Sequence, residues 1–118
     1  MPIIGKDEYI IIKRKATYEG GGGIKIPGRK TGELILTNKR IIFEYIQGLF
    51  SKKTFTPLDT PISEIVGVSG EGMFSKKLVI ELRRRDGRTG RVKFTTNNVD
   101  EWIKEITILV TEMRETES

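Results

Sequence analysis

The stretch GELILTNKRIIFEYI, residues 32–46, reads as a β-hairpin. Leu34 and Leu36 alternate with their neighbours, and Ile41, Phe43 and Tyr45 do the same. With Asn38 and Lys39 as a two-residue loop, Leu36 faces Ile41 and Leu34 faces Phe43. Both apolar sets then lie on one side of the sheet, so register and periodicity agree. Asparagine suits the first loop position because it tolerates positive φ.

Working outward from the hairpin, residues 9–18 read as a first strand. Ile10, Ile12, Ala16 and Tyr18 share one parity there, and Arg14 is the exception. Residues 19–31 form a loop, loosened by the glycines at 20–23 and turned by Pro27 and Gly28. A fourth strand covers residues 52–58, and Pro57 and Pro61 bracket a connection after it. Residues 62–65 suit one helical turn and 66–71 a short fifth strand. A sixth strand covers 77–84, with Leu78, Ile80 and Leu82 inward, and a seventh covers 91–96.

Between these last two, a strict two-residue loop at Asp86-Gly87 would set Leu82 against Arg91. A three-residue loop, Arg85-Asp86-Gly87, with Gly87 left-handed in a bulge, instead pairs Ile80 with Val92 and Leu78 with Phe94. It also sets Glu81 opposite Arg91.

Residues 98–115 form a closing helix. Asn98 and Glu101 have capping-box spacing. Val99, Trp102, Ile103, Ile106, Val110 and Met113 make one apolar stripe. Such a stripe must cover an apolar surface, which a seven-stranded antiparallel sheet has at an open end. The domain plan is therefore a lead-in at 1–8, a barrel at 9–97 and a helix at 98–115.

Composition narrows the functions. The 118 residues suffice for one core. Cysteine and histidine are both absent, which removes disulfides, thiolate metal sites, cysteine nucleophiles and the commonest general base. No catalytic residue, metal ligand or cofactor site is expected, and neither is enzyme activity. No apolar run approaches the ~20 residues that span a bilayer, so a soluble cytoplasmic chain is expected, with a peripheral place at the inner membrane face open to it. The Ile, Lys, Glu and Arg content, with few Asn and Gln, fits a heat-adapted source. Charge is unevenly placed: residues 1–97 carry a net +9 and residues 98–118 a net −4 within the total of +5. A basic body suits an anionic partner, or simply solubility.

Seven strands in meander order and one amphipathic helix resemble the pleckstrin-homology (PH) superfold. The motif Leu34-Ile35-Leu36-Thr37-Asn38-Lys39-Arg40-Ile41-Ile42-Phe43 is similar to the opening hairpin of GRAM and of bacterial or archaeal PH-like domains. Pro61-Ile62-Ser63-Glu64-Ile65 resembles the short segment that follows in those families, and Trp102 matches their core tryptophan. The resemblance covers roughly residues 9–113 and implies two orthogonal sheets in a partly open barrel, capped by the helix. It implies a binding module, with lipid or protein ligands. The second strand carries Glu33-Leu34-Ile35-Leu36 where phosphoinositide-binding PH domains have Lys/Arg-x-Arg, so a specific phosphoinositide headgroup is not implied.

Among the candidate sites, Gly23-x4-Gly28-Arg29-Lys30-Thr31 nearly spells a phosphate-binding loop. Arg29 breaks its spacing, however, and a strand follows where a helix is needed. Loose anion contact by Lys25, Arg29 and Lys30 survives. The runs at 13–15 and 83–85, with Arg88, Arg91 and Lys93, make nucleic acid the runner-up partner. No aromatics interleave with them to stack bases.

The oddest feature is an echo: Gly48-Leu49-Phe50-Ser51-Lys52-Lys53 returns as Gly72-Met73-Phe74-Ser75-Lys76-Lys77, both times between strands. In one reading, Phe50 and Phe74 fold inward and seal the barrel. In the other, Leu49, Phe50, Met73 and Phe74 enter an interface while Lys52, Lys53, Lys76 and Lys77 meet phosphates. Alternating connections would gather the first, third and fifth at one end of the strands, whereas PH-like folds gather the first, third and sixth. The chain is thus expected to be a binding module for anionic lipid surfaces or, alternatively, a protein-interaction or self-assembly module. In the second case Ile108 and Leu109 would widen the helix's apolar face into a homo-oligomer contact.

Overall fold

Strands and helix follow one another in the expected order. The computed structural model describes residues 4–21, 29–84 and 86–117. The strands are β1 (Ile10–Gly21), β2 (Lys30–Thr37), β3 (Arg40–Gln47), β4 (Lys53–Pro61), β5 (Ile65–Glu71), β6 (Lys77–Arg83) and β7 (Thr89–Thr96). A single 3-10 turn, Ile62–Glu64, joins β4 to β5, and α1 (Val99–Glu117) ends the chain. All seven strands form one antiparallel sheet in the order β4-β3-β2-β1-β7-β6-β5. The outer strands β4 and β5 do not pair, so the barrel is partly open.

The two expected sheets are halves of one ladder joined by β1. This strand pairs with β2 from Ile10 to Tyr18 and with β7 from Ala16 to Gly21, with a bulge between Tyr18 and Gly20. A second bulge, between Ile10 and Ile12, turns Ile10 out to solvent while Ile12, Ala16 and Tyr18 stay in the core. Arg14 breaks the apolar parity for a reason: its Nη2 donates to Glu101 Oε1 at 2.9 Å, tying β1 to the start of α1.

Both hairpin registers are as read from the sequence. Leu36 pairs with Ile41 and Leu34 with Phe43. Leu78 pairs with Phe94, Ile80 with Val92 and Glu81 with Arg91. Gly87 is left-handed, with φ 85°; its loop neighbour Arg85 lies outside the described residues. The first turn is built differently from expectation. Among the described residues the non-glycine with positive φ is Asn98, not Asn38. The Thr37 hydroxyl oxygen accepts from the amides of Lys39 and Arg40, at 3.1 and 3.0 Å. Asn38 serves the segment ahead of β1: its Oδ1 accepts from the Tyr9 amide at 2.8 Å and its Nδ2 donates to the Asp7 carbonyl at 3.1 Å.

β4 runs on past residue 58 to Pro61, with Pro57 inside it. Proline lacks an N–H and is tolerated on an outer strand or at a bulge. Here both conditions hold, because Thr56 and Pro57 together oppose Glu44 alone. The helix start also differs from a capping box. Asn98 has φ 53°, its carbonyl accepts from the Glu101 amide, and its Nδ2 donates to Glu101 Oε2 at 2.8 Å.

The core lies between the inner faces of the sheet and α1. Trp102 and Ile106 are fully buried, and Ile103, Leu109, Val110 and Met113 pack against them and the strands. A run of rings crosses this core. Phe94 and Phe43 have centroids 5.1 Å apart, Tyr45 adjoins Phe43 at 6.3 Å, and Phe55 stacks on Tyr45 at 5.3 Å. The run leads from the centre to the half-exposed Phe55 on the outer strand.

Candidate functional site: two glycine-fixed hairpin tips

The echoed hexapeptides fold alike. Gln47 pairs with Lys53 and Glu71 with Lys77, so each hairpin closes on a five-residue loop, 48–52 or 72–76. The opening glycines are both left-handed, Gly48 at φ 132° and Gly72 at φ 120°. A Cβ at Gly48 would sit 2.2 Å from the Ser51 carbonyl oxygen, and one at Gly72 would sit 2.5 Å from that of Ser75. Each loop thus folds back over its own glycine in a way that no larger residue permits.

This backbone turns the next two side chains outward. Phe50 and Phe74 are each 101% exposed, Leu49 92% and Met73 94%. Neither phenylalanine seals the barrel, so the inward reading is overturned. The strand ends beside each tip are themselves exposed, Gln47 and Lys53 at one and Gly70 and Glu71 at the other, so both apices project beyond the core.

The lysines are not equivalent. Among the described residues Lys52 and Lys53 have no ion-pair partner, and both are exposed. Lys76 Nζ donates to Asp100 Oδ1 at 2.9 Å, and Lys77 Nζ lies 3.5 Å from Glu19 Oε2. Glu19 also takes Arg29, whose Nη2 is 3.0 Å away. Its side chain is buried, and the Thr95 hydroxyl, with Arg29 and Lys77, holds its carboxyl below the usual range against the opposing effect of burial. Lys30 Nζ stands over the Tyr45 ring, 5.9 Å from its centroid. Lys25 lies outside the described residues.

The ladder also separates the tips. β1 is antiparallel to both β2 and β7, and Gly21 at its end pairs with Val92 midway along β7. The β1–β2, β3–β4 and β6–β7 connections therefore leave the sheet by one edge. The β5–β6 tip leaves by the other, where Lys76 meets the first turn of α1. The expectation that the first, third and fifth connections share an end fails because β4 and β5 run the same way in the ladder. The 3-10 turn between them breaks the alternation. By strand direction Lys30, Lys52, Lys53, Arg84 and Arg88 lie toward the edge that carries Leu49, Phe50 and the 65% exposed Ile46, whereas Arg29 is held at Glu19, the carboxylate that also takes Lys77.

Elsewhere the basic runs are partly neutralised. Glu71 lies 3.7 Å from Arg91 and 3.2 Å from Lys93, and Glu33 lies 3.7 Å from Lys13. On α1, Leu109 is seated against the core, which leaves Ile108, 41% exposed, as the outlying apolar residue of the pair.

Sequence reasoning missed the acids that set the two tips apart. Asp100 reads in the sequence as an ordinary first-turn carboxylate, and Glu19 as a loop residue. Their partners lie 24 and 58 positions away, and nothing in local spacing signals them. No protein-family model matches the chain, and no curated protein matches it. Among the described residues no helix is long and apolar enough to cross a membrane.

Proposed function

We propose that this chain is a non-catalytic, PH-like binding module that docks on anionic lipid surfaces through its β3–β4 tip. The observation that carries the reading is the full exposure of Leu49 and Phe50 on a glycine-fixed loop beside Lys52 and Lys53, cations without an acidic partner among the described residues. Water is a poor environment for two large apolar side chains at a loop apex. Burying each in the boundary of a bilayer is worth about 2 kcal/mol, and each lysine near an anionic surface adds about 1 kcal/mol. The total, about 6 kcal/mol, suits a reversible contact between the micromolar and millimolar ranges. Lys30, Arg84 and Arg88, on the same sheet edge, add to the attraction.

Co-sedimentation with vesicles of equal parts phosphatidylglycerol and phosphatidylcholine, across a salt series, tests this. Binding is expected at low salt, falling as salt rises to a residue carried by the apolar tip. Phosphatidylcholine alone should bind far less. Phe50→Ser should weaken binding with an unchanged melting temperature. Absence of binding to the anionic vesicles at low salt would overturn the reading.

A further inference from the structure

The two tips share a backbone and an apolar apex but not a charge environment. We propose that they are two copies of one lipid-docking device, of which the β3–β4 copy is active and the β5–β6 copy is silenced by Asp100, with Lys77 drawn off by Glu19. The inference rests on the lipid-docking reading above.

The apolar contributions of the copies are matched. Leu49 and Phe50 are 92% and 101% exposed, and Met73 and Phe74 are 94% and 101% exposed. The glycines hold the same left-handed conformation, and each loop is closed by the carbonyl of the serine three residues on. What differs is the net charge that travels with each apex. Lys52 and Lys53 approach a surface without a carboxylate beside them among the described residues. Lys76 brings Asp100 at 2.9 Å, and Lys77 is held beside the buried carboxylate of Glu19.

An exposed ion pair contributes little to stability, yet it matters at a charged surface. Both members lie well within a Debye length of any surface that the tip touches, so the repulsion of Asp100 offsets the attraction of Lys76. Asp100 stands in the first turn of α1, so it is carried by a rigid element and cannot be shed as the tip approaches. It also masks the positive end of the helix dipole, which would otherwise favour the same anionic surface. The device therefore docks in one orientation, by the β3–β4 edge of the sheet.

The same vesicles of equal parts phosphatidylglycerol and phosphatidylcholine test this on the full chain, with a melting curve for every variant. Phe50→Ser is expected to weaken binding about tenfold or more, and Phe74→Ser to change it less than about twofold. Asp100→Asn unmasks one lysine at the opposite edge, which adds a second orientation and not a second contact, and is expected to raise binding by up to about twofold. That gain should vanish when Phe74→Ser is added. A second pair leaves the helix untouched: Lys52→Gln should cost about fivefold, and Lys76→Gln less than about twofold. Equal losses from Phe50→Ser and Phe74→Ser, no gain from Asp100→Asn, or a gain that survives Phe74→Ser would each overturn the inference. All three leave wild-type binding intact, so they are distinct from failure of the lipid-docking reading, in which the wild type itself does not bind.

Discussion

Glu8 shows how much one side chain can hold. Its carboxylate is almost fully buried and accepts from Arg40 Nε at 2.9 Å, from the Thr37 hydroxyl at 2.6 Å and from the Gly5 amide at 2.9 Å. Arg40 in turn reaches Asp59 at 2.8 Å, so one guanidinium links the lead-in, β3 and β4. The Arg40 hydrogen bond, ahead of the Thr37 and Gly5 bonds and against the opposing effect of burial, lowers the Glu8 pKa from 4.5 to about 2. A carboxyl depressed in the folded state stabilises the fold above its unfolded pKa and loses that contribution as pH falls through the folded value. Glu8→Gln is therefore expected to lower stability by about 1.5–3 kcal/mol at neutral pH, with the difference from wild type shrinking below about pH 4.5 and gone near pH 2. Urea melts across that window check it; a constant difference would show that charge plays no part. Residue identity alone did not reveal this clasp. Asn38 reads as a turn former and Thr37 as a strand end, and their real partners lie about thirty positions away in sequence.

Among the elements, α1 is seated by three buried side chains, Val99, Trp102 and Ile106. Trp102 is fully buried with Ile106 beneath the sheet, and Trp102→Ala should cost about 3–5 kcal/mol. Ile108→Ser, on the outer side of the same helix, should move the melting temperature by little. Equal effects would mean that the helix sits the other way round. The hairpins and this helix were readable because their signals are local. Loop length and side-chain parity suffice for a register, and three- and four-residue spacing suffices for a buried stripe. The end of β4 was not readable, because whether Pro57 breaks a strand depends on which strand is outermost, and that is a property of the assembled sheet. The direction of Phe50 and Phe74 was hidden for a related reason. An apolar residue in a loop has the same composition whether it turns in or out, and here the choice is made by the conformation of the preceding glycine.

For the whole molecule, the open barrel leaves β4 with one edge unpaired in the sheet. Such an edge invites pairing with another chain. Lys53 at its start, the bulge at Pro57 and Pro61 at its end all oppose that pairing. Replacing Pro57 by Val and Lys53 by Thr should raise concentration-dependent association, seen by light scattering, without lowering the monomer's melting temperature. Unchanged scattering would show that the edge is protected by something else.

The shape of each tip is settled within six residues: a glycine that turns left-handed, two apolar residues, a serine whose carbonyl closes over the glycine, and two lysines. The strands on either side supply only a pair of facing positions. Such a unit is portable. It can be duplicated onto another hairpin of the same closure without repacking the core, and its charge can be retuned by a single residue on a neighbouring element. In this chain the two tips differ by such a residue, Asp100, placed at the surface while the interior stays as it is.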